Sequence, residues 1–326
     1  MNPRLASLII ILLGIACRPG FSADLRVGMI GLDTSHVVAF TKLLNSDQDP
    51  NHVPGAKVVA AFKGGSPDIE SSASRVDGYT KTLREEYGVK IVDSIEQLCA
   101  EVDAVLLESV DGRPHLAQVR PVLEARKPVF IDKPVAGTLA DAIEIYRLAK
   151  AKNVPVFSSS SYRYYQSLVE VKSAKVGDIR AVISYGPAHA EPHHPDLFWY
   201  GIHPTEALFT ILGPGCQSVA RTTTADTDVV TGVWETGRIG TLVALRKGPT
   251  PHKVIVFGTT QTVEQKGSGE YTPLVREIVR FFQTGTPPVS MEETLQIYAF
   301  MEAADESKRQ DGRSVTIPDV LKKNGW

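Results

Sequence analysis

The chain has 326 residues, 43% hydrophobic and 22% charged, a composition of folded globular proteins that excludes disorder, collagen and coiled coil. At roughly 100 to 200 residues per domain, this length suits about two domains. Lys and Arg number 35 against 37 Asp and Glu, a net charge of -2, so no uniform basic field exists to hold a nucleic-acid backbone.

Arg4 precedes LASLIIILLGIA (5–16), an apolar run shorter than the roughly 20 residues a membrane span needs but suited to a signal peptide. Small residues at Gly20, Ser22 and Ala23 place cleavage near position 23, which makes residues 1–23 a signal peptide. An exported chain, periplasmic or extracellular and without a membrane span, is the expectation. Gly14-Ile15-Ala16-Cys17 is an imperfect lipoprotein box, so a lipid on Cys17 is the second expectation. Only Cys99 and Cys216 remain beyond that point, too few for a disulfide framework, and two buried free thiols are expected.

From residue 24 the pattern alternates short apolar runs with amphipathic stretches. LRVGMIG (25–31), AKVVAAF (56–62), DAVLLES (103–109), PVFID (128–132) and VPVFSS (154–159) are apolar on consecutive positions, as strands buried on both faces are. Helices are predicted over 36–45, 71–87, 94–101, 114–125 and 139–152. This alternation implies a doubly wound parallel sheet, a Rossmann-like domain over 24–158. From 159 to 326 the rhythm is strand after strand: IRAVISYG (179–186), QSVARTTT (217–224), DVVTGVWET (228–236), IGTLVALRK (239–247) and HKVIVFGTT (252–260). With helices over 272–283 and 291–308, they predict an α+β domain with an open, mostly antiparallel sheet.

The first strand runs into Gly31-Leu32-Asp33-Thr34-Ser35-His36. A dinucleotide loop here needs glycine at three positions; Gly31 fills the first, while Asp33 and His36 occupy the others. A carboxylate about 5 Å from a phosphate charge would cost roughly 3 kcal/mol at an effective dielectric of 20. Lys63 stands where an acidic residue would bind the ribose hydroxyls, which favours a 2′-phosphate and so NADP over NAD. Asp33-Thr34-Ser35 also reads as a side-chain cap for the following helix.

Downstream, VLEARKPVFIDKPVAGTLADA (122–142) resembles the Gfo/Idh/MocA oxidoreductases, whose Rossmann domain ends in a Glu-Lys-Pro motif after the fifth strand. Here the motif is Asp132-Lys133-Pro134, with His115 in the preceding helix and Arg163 after the strand entering the second domain. Trp199, Gly201, His203 and Glu206 stand where the family carries Asp-x-Gly-x-His-x-x-Asp, with Trp199 and Glu206 departing from it. The resemblance implies an NAD(P)-linked sugar or polyol oxidoreductase, and a homo-oligomer. It implies Lys133 as a substrate-orienting or proton-relaying residue and His203 as general acid/base. Cofactor contacts would come from Gly31, Asp33, Ser35, His36, Glu108, His115 and Asp132. Substrate contacts would come from Arg163, His189, His193, Trp199, Tyr200 and Glu206.

Two constellations point past hydride transfer. Asp33, His36, Glu108 and Asp111 lie at strand ends that adjoin at the switch point, where they could converge on a cation or on sugar hydroxyls. His189, Glu191, His193 and His194 carry imidazole and carboxylate ligands suited to Zn, Mn or Fe, without a recognised metal spacing. The aromatics Tyr162, Tyr164, Tyr165, Phe198, Trp199 and Tyr200 offer surfaces for sugar rings. Beside the redox reading stand two others: a redox-neutral or metal-assisted sugar lyase, hydrolase or epimerase using Lys133 and His203, and a non-catalytic sugar-binding protein.

Overall fold

A computed structural model describes residues 24–326, so the leader, its cleavage near position 23 and Cys17 lie outside the described residues. The first sheet is six-stranded and parallel: β1 (Leu25–Ile30), β2 (Ala56–Phe62), β3 (Lys90–Val92), β4 (Ala104–Leu107), β5 (Val129–Ile131) and β6 (Val156–Ser158), in spatial order β3-β2-β1-β4-β5-β6. Every residue of β4, β5 and β6 is buried, which explains their unbroken apolar sequence. The strand order reverses between β1 and β4, the switch point where open α/β sheets place their ligands.

The crossovers are α1 (Ser35–Asn45), α2 (Glu70–Ala73), α3 (Val76–Glu86), α4 (Ile95–Glu101), α5 (His115–Glu124) and α6 (Leu139–Lys152). The single helix predicted over 71–87 is divided at Ser74 and Arg75 into α2 and α3. After β6 a 3-10 turn at Ser161–Tyr164 and α7 (Gln166–Ser173) lead into the second unit.

The second sheet has seven strands: β7 (Ile179–Pro187), β8 (Cys216–Thr223), β9 (Thr227–Trp234), β10 (Ile239–Leu245), β11 (Lys253–Gly258), β12 (Thr262–Glu264) and β13 (Val315–Thr316), in order β12-β11-β7-β10-β9-β8-β13. All pairs are antiparallel except β7 with β10. One face packs on α8 (Ile202–Leu212) and α10 (Met291–Arg309). Gly232 and Gly240 face each other in register there, and a Cβ on either would come within 3 Å of the Trp234 ring, so the pair makes room for that indole. The opposite face stays open, with Val229, Val233 and Ile239 exposed. This is the α/β architecture expected, a Rossmann-like parallel sheet followed by a mostly antiparallel one.

Between α8 and α10 lies α9 (Thr272–Thr284), which turns back to the first sheet. Leu274, Val275, Ile278 and Phe281 are buried there among β1, β2 and α1 residues, and the Phe281 ring meets Phe157 of β6 edge-on at 4.8 Å. The chain ends in α11 (Ile317–Lys323) against β8 and β13. Cys99 and Cys216 are free and buried, as expected, and burial pushes their thiols up to about 11 and about 12, far from thiolate chemistry. Among the described residues, no helix is long and apolar enough to cross a membrane.

Phe281→Ala is expected to lower stability by about 3 to 5 kcal/mol in urea denaturation, because it leaves a cavity between α9 and the first sheet. A loss below about 1 kcal/mol would mean that α9 is not part of that core.

Candidate active site

At the end of β1, Gly31 adopts φ +83°, and a Cβ there would lie 2.5 Å from the Ser109 backbone, so the turn demands glycine. Asp33 behaves differently from the expectation that its carboxylate faces a cofactor phosphate. It is wholly buried, accepting hydrogen bonds from Ser72 Oγ at 2.6 Å and the Val110 amide at 2.9 Å. Burial pushes its carboxyl up against the pull of those donors. The carboxylate is thus turned away from the cavity, and the repulsion anticipated from the sequence does not arise. Nor does a side chain cap α1: Thr34 holds the cap position, but its hydroxyl accepts no hydrogen bond from the helix's first amides. Thr34, Ser35 and His36 instead open the start of α1 onto a cavity of about 390 Å³.

That cavity sits where the two units meet. Lys133, which follows β5, and His203, in the first turn of α8, both line it, together with Val110 and Ser161. Its aromatic walls are Tyr162, Tyr165, Trp199, Tyr200 and Tyr271, and His189 and His252 complete the far side. Gly201 lets α8 start here, since a Cβ would come within 2.8 Å of the Leu197 carbonyl. His203 Nδ1 lies 2.7 Å from Ser160 Oγ, which fixes the ring, and the ring stands edge-on to Tyr200 and His252. Burial, then the Lys133 charge, holds the His203 imidazole well below its ordinary value, so it is neutral at pH 7. Burial also brings His252 down to about 4.

Beside Lys133, the strand ends form a compact charged group. His36 Nδ1 lies 2.7 Å from Asp132 Oδ2 and 4.0 Å from Glu108 Oε2. The Lys133 amide donates to Asp132 Oδ1 at 2.8 Å. Burial pulls the Asp132 carboxyl upward, but His36 and Lys133 outweigh it and hold the group at about 2. Glu108 has no exposed area and no hydrogen-bond partner on either oxygen; burial, with Asp132 beside it, pushes its carboxyl well above the usual range.

Several residues expected at the site lie elsewhere. His115 is buried behind the β4 loop, its ring nitrogens 2.9 Å from the Ser109 carbonyl and 3.3 Å from the Val135 carbonyl, where it braces backbone and meets no ligand. Arg163 and Glu206 do not reach the cavity. Glu206 accepts from Ser159 Oγ, the Ser160 amide and Arg163 Nε at 2.6 to 2.7 Å, so it supports the segment that holds His203. Asp111 turns from the His36 group to Ser66, Arg113 and His194. The four residues suggested as metal ligands do not assemble. His193 pairs with Glu191 at the surface, His194 reaches Asp111, and His189 sits 3.1 Å from the Arg246 carbonyl. Lys63 pairs with Asp77 on the surface; Arg75, placed by the break between α2 and α3, lines the cavity instead. Ser160, His252, Tyr271 and Arg75 were not singled out from the sequence, because each joins the site through tertiary packing rather than a local motif.

Residues 25–160 match the family model described as "Oxidoreductase family, NAD-binding Rossmann fold", GFO_IDH_MocA. Over this stretch, somewhat under half of the chain, the sequence is similar to the Gfo/Idh/MocA oxidoreductases. A curated relative, "Uncharacterized oxidoreductase YhhX" of Escherichia coli K12, is 31% identical over 111 residues, and the match spans 30% of this chain and about a third, 32%, of that protein. Among solved structures, a probable dehydrogenase from Thermotoga maritima superposes with TM-score 0.73 at 20% identity, over 91% of this chain and all (100%) of that one. The myo-inositol dehydrogenase of Lactobacillus casei, solved with NAD(H) and myo-inositol, gives 0.71 at 19% identity over 90% and 96%. These likenesses show that the two-unit fold, including the second sheet, is shared with those structures.

The matched family model is described as NAD-binding, and the β1 loop here has features that fit a dinucleotide's diphosphate: a required glycine, an inward-turned carboxylate and an uncapped helix start on the cavity.

Asp111 generates a pH prediction. Burial alone would raise its carboxyl, but hydrogen bonds from His194, Arg113 and Ser66 hold it far below the usual range. A depressed folded value means the stabilisation is full above about pH 4 and is lost as pH falls below it. Asp111→Asn should therefore destabilise by about 3 kcal/mol at pH 7. In urea denaturation the gap to wild type should narrow steadily toward pH 3; a gap that stays constant would contradict the assignment.

Proposed function

We propose that the chain is an NAD(P)-linked oxidoreductase acting on a small polyhydroxylated substrate, a sugar or polyol, with His203 as general acid/base and Lys133 as the residue that orients the reacting oxygen. The observation that carries this is the shared cavity: one amine and one neutral imidazole line the same polar pocket between the two units. NAD(P), when bound, supplies or accepts the hydride. Gly31 and the amides at the start of α1 would hold its diphosphate, with Arg75 at the rim as a further cation.

The protein's own part is proton handling and positioning. Neutral His203 takes a hydroxyl proton or returns it, and its ring keeps one orientation through Ser160 Oγ. The Lys133 ammonium donates to the substrate oxygen and keeps His203 from protonating early. Tyr162, Trp199 and Tyr200 offer faces to the substrate's C–H surfaces. The placement proposed for the protein is outside the cytoplasm, supported by the apolar run at 5–16 and checked by the N-terminal mass of the mature chain. Self-association through the open sheet face is supported by exposed Val229, Val233 and Ile239, and light scattering tests it.

One observation favours a redox-neutral use of the same pair. Ser66 Oγ donates to Asp111 at 2.6 Å, joining the loops after β2 and β4 across the end of β1, over ground where the adenosine half of a dinucleotide lies in this fold. Titration with NAD(P)H, followed by fluorescence, separates the two. Micromolar binding supports the redox enzyme; no binding at millimolar cofactor, with none copurifying, eliminates it and leaves the lyase, hydrolase or epimerase and the non-catalytic sugar-binding protein.

His203→Ala and Lys133→Ala should each lower turnover by about 10²-fold or more while the melting temperature stays nearly unchanged. Retained activity in both would remove the pair from the mechanism. Because the His203 value is lowered, kcat/KM should hold through pH 6.5 and fall only under more acid conditions, and His203→Ala should abolish that acid limb. An acid limb centred above 6.5 would contradict a neutral histidine base.

A further inference from the structure

We propose that His36, Glu108 and Asp132 form a site for one divalent first-row transition-metal ion, lying under the cavity with a coordination position open toward it. The three residues each offer one ligand atom, and these atoms lie within 4.8 Å of one another. A first-row cation about 2.1 Å from each ligand spans atoms roughly 3 to 4 Å apart. His36 Nδ1 stands 2.7 Å from Asp132 Oδ2 and 4.0 Å from Glu108 Oε2, so the first pair would open by a few tenths of an ångström and the second already lies within that span.

The second observation is Glu108 itself. Its carboxyl is fully enclosed, neither oxygen has a hydrogen-bond partner, and it points at the His36 ring nitrogen. A buried polar group in that condition is costly unless an ion or water meets it. The Lys133 amide donates to Asp132 Oδ1, while Oδ2 meets His36 Nδ1, so a cation would replace the proton shared between those two ligand atoms. Two carboxylates and a neutral imidazole balance a doubly charged ion and suit Zn²⁺, Mn²⁺ or Fe²⁺ rather than soft metals.

The ring is held ready from outside. Phe40 stacks on His36 at 5.2 Å and 14°, and Tyr271 meets it edge-on at 4.8 Å, which fixes the direction of Nδ1. His36 is also the member of the group that lines the cavity, so the open position faces the space occupied by an oxygen-bearing ligand. Sequence spacing did not group these three, since Asp33 and Asp111 were expected in the place that Asp132 takes.

The site goes beyond the redox reading and is tested without nucleotide or turnover, so either can fail alone. Full-length protein is stripped with chelator, dialysed, and titrated with Zn²⁺ and with Mn²⁺ while metal content and melting temperature are followed. One equivalent should bind and raise the melting temperature, Glu108→Gln and His36→Gln should weaken affinity by about 100-fold, and His193→Ala should leave it unchanged. Less than one equivalent at millimolar metal would overturn the proposal, as would binding that survives Glu108→Gln and is lost in His193→Ala. Should either ligand variant fail to fold, wild type loaded with Co²⁺ decides: intense visible bands of a four- or five-coordinate ion support the site, and a spectrum identical to aqueous Co²⁺ overturns it.

Discussion

Glu206 lies enclosed where the chain crosses from the first sheet to the second, and its oxygens gather Ser159, the Ser160 amide and Arg163 into one knot. Arg163 extends the knot to Glu293 of α10 at 2.7 Å. A buried ion pair of this kind stabilises little by itself, but removing either partner strands a charge in the interior, so the arrangement tolerates few alternatives. Its geometric result is plain. Ser160 stands beside His203 because Glu206, one turn further along α8, anchors the segment that carries Ser160. The cavity between the units keeps its shape as long as that carboxylate keeps its partners.

The other polar concentration, at the ends of β1, β4 and β5, obeys the same physics with different outcomes. Asp33 has two donors and is satisfied inside the protein; Asp111 has Arg113, Ser66 and His194 and stays ionised; Asp132 has His36 and the Lys133 amide. Glu108 alone has none. Four carboxylates within one switch point thus divide into three structural or paired groups and one without a hydrogen-bond partner among the described residues.

Much of this was legible before any coordinates. The run at 56–62 is β2 residue for residue, and the change from βα alternation to successive strands marks the passage to the second sheet. Lys133 and His203 were placed by motif and share the cavity. The misses have a common cause: spacing says where the backbone goes, not which way a side chain turns. Asp33 was expected to face outward, yet Ser72 and the Val110 amide, distant in sequence, draw it in. No element was predicted over 202–212, where Pro204 and the flanking Trp and Tyr mask a helix whose first turn accepts proline readily. His252 immediately precedes β11 with no motif around it, and only the pairing of β11 with β7 brings it to His203.

The return of α9 to the first sheet has a consequence for synthesis. The nucleotide-type half cannot be completed from its own stretch of chain, since the layer over β1 and β6 arrives more than a hundred residues after β6. A nascent chain halted after the Rossmann strands would carry a bare apolar flank, so excising that half as a stand-alone fragment, or grafting it onto another partner, requires carrying residues 272–284 along.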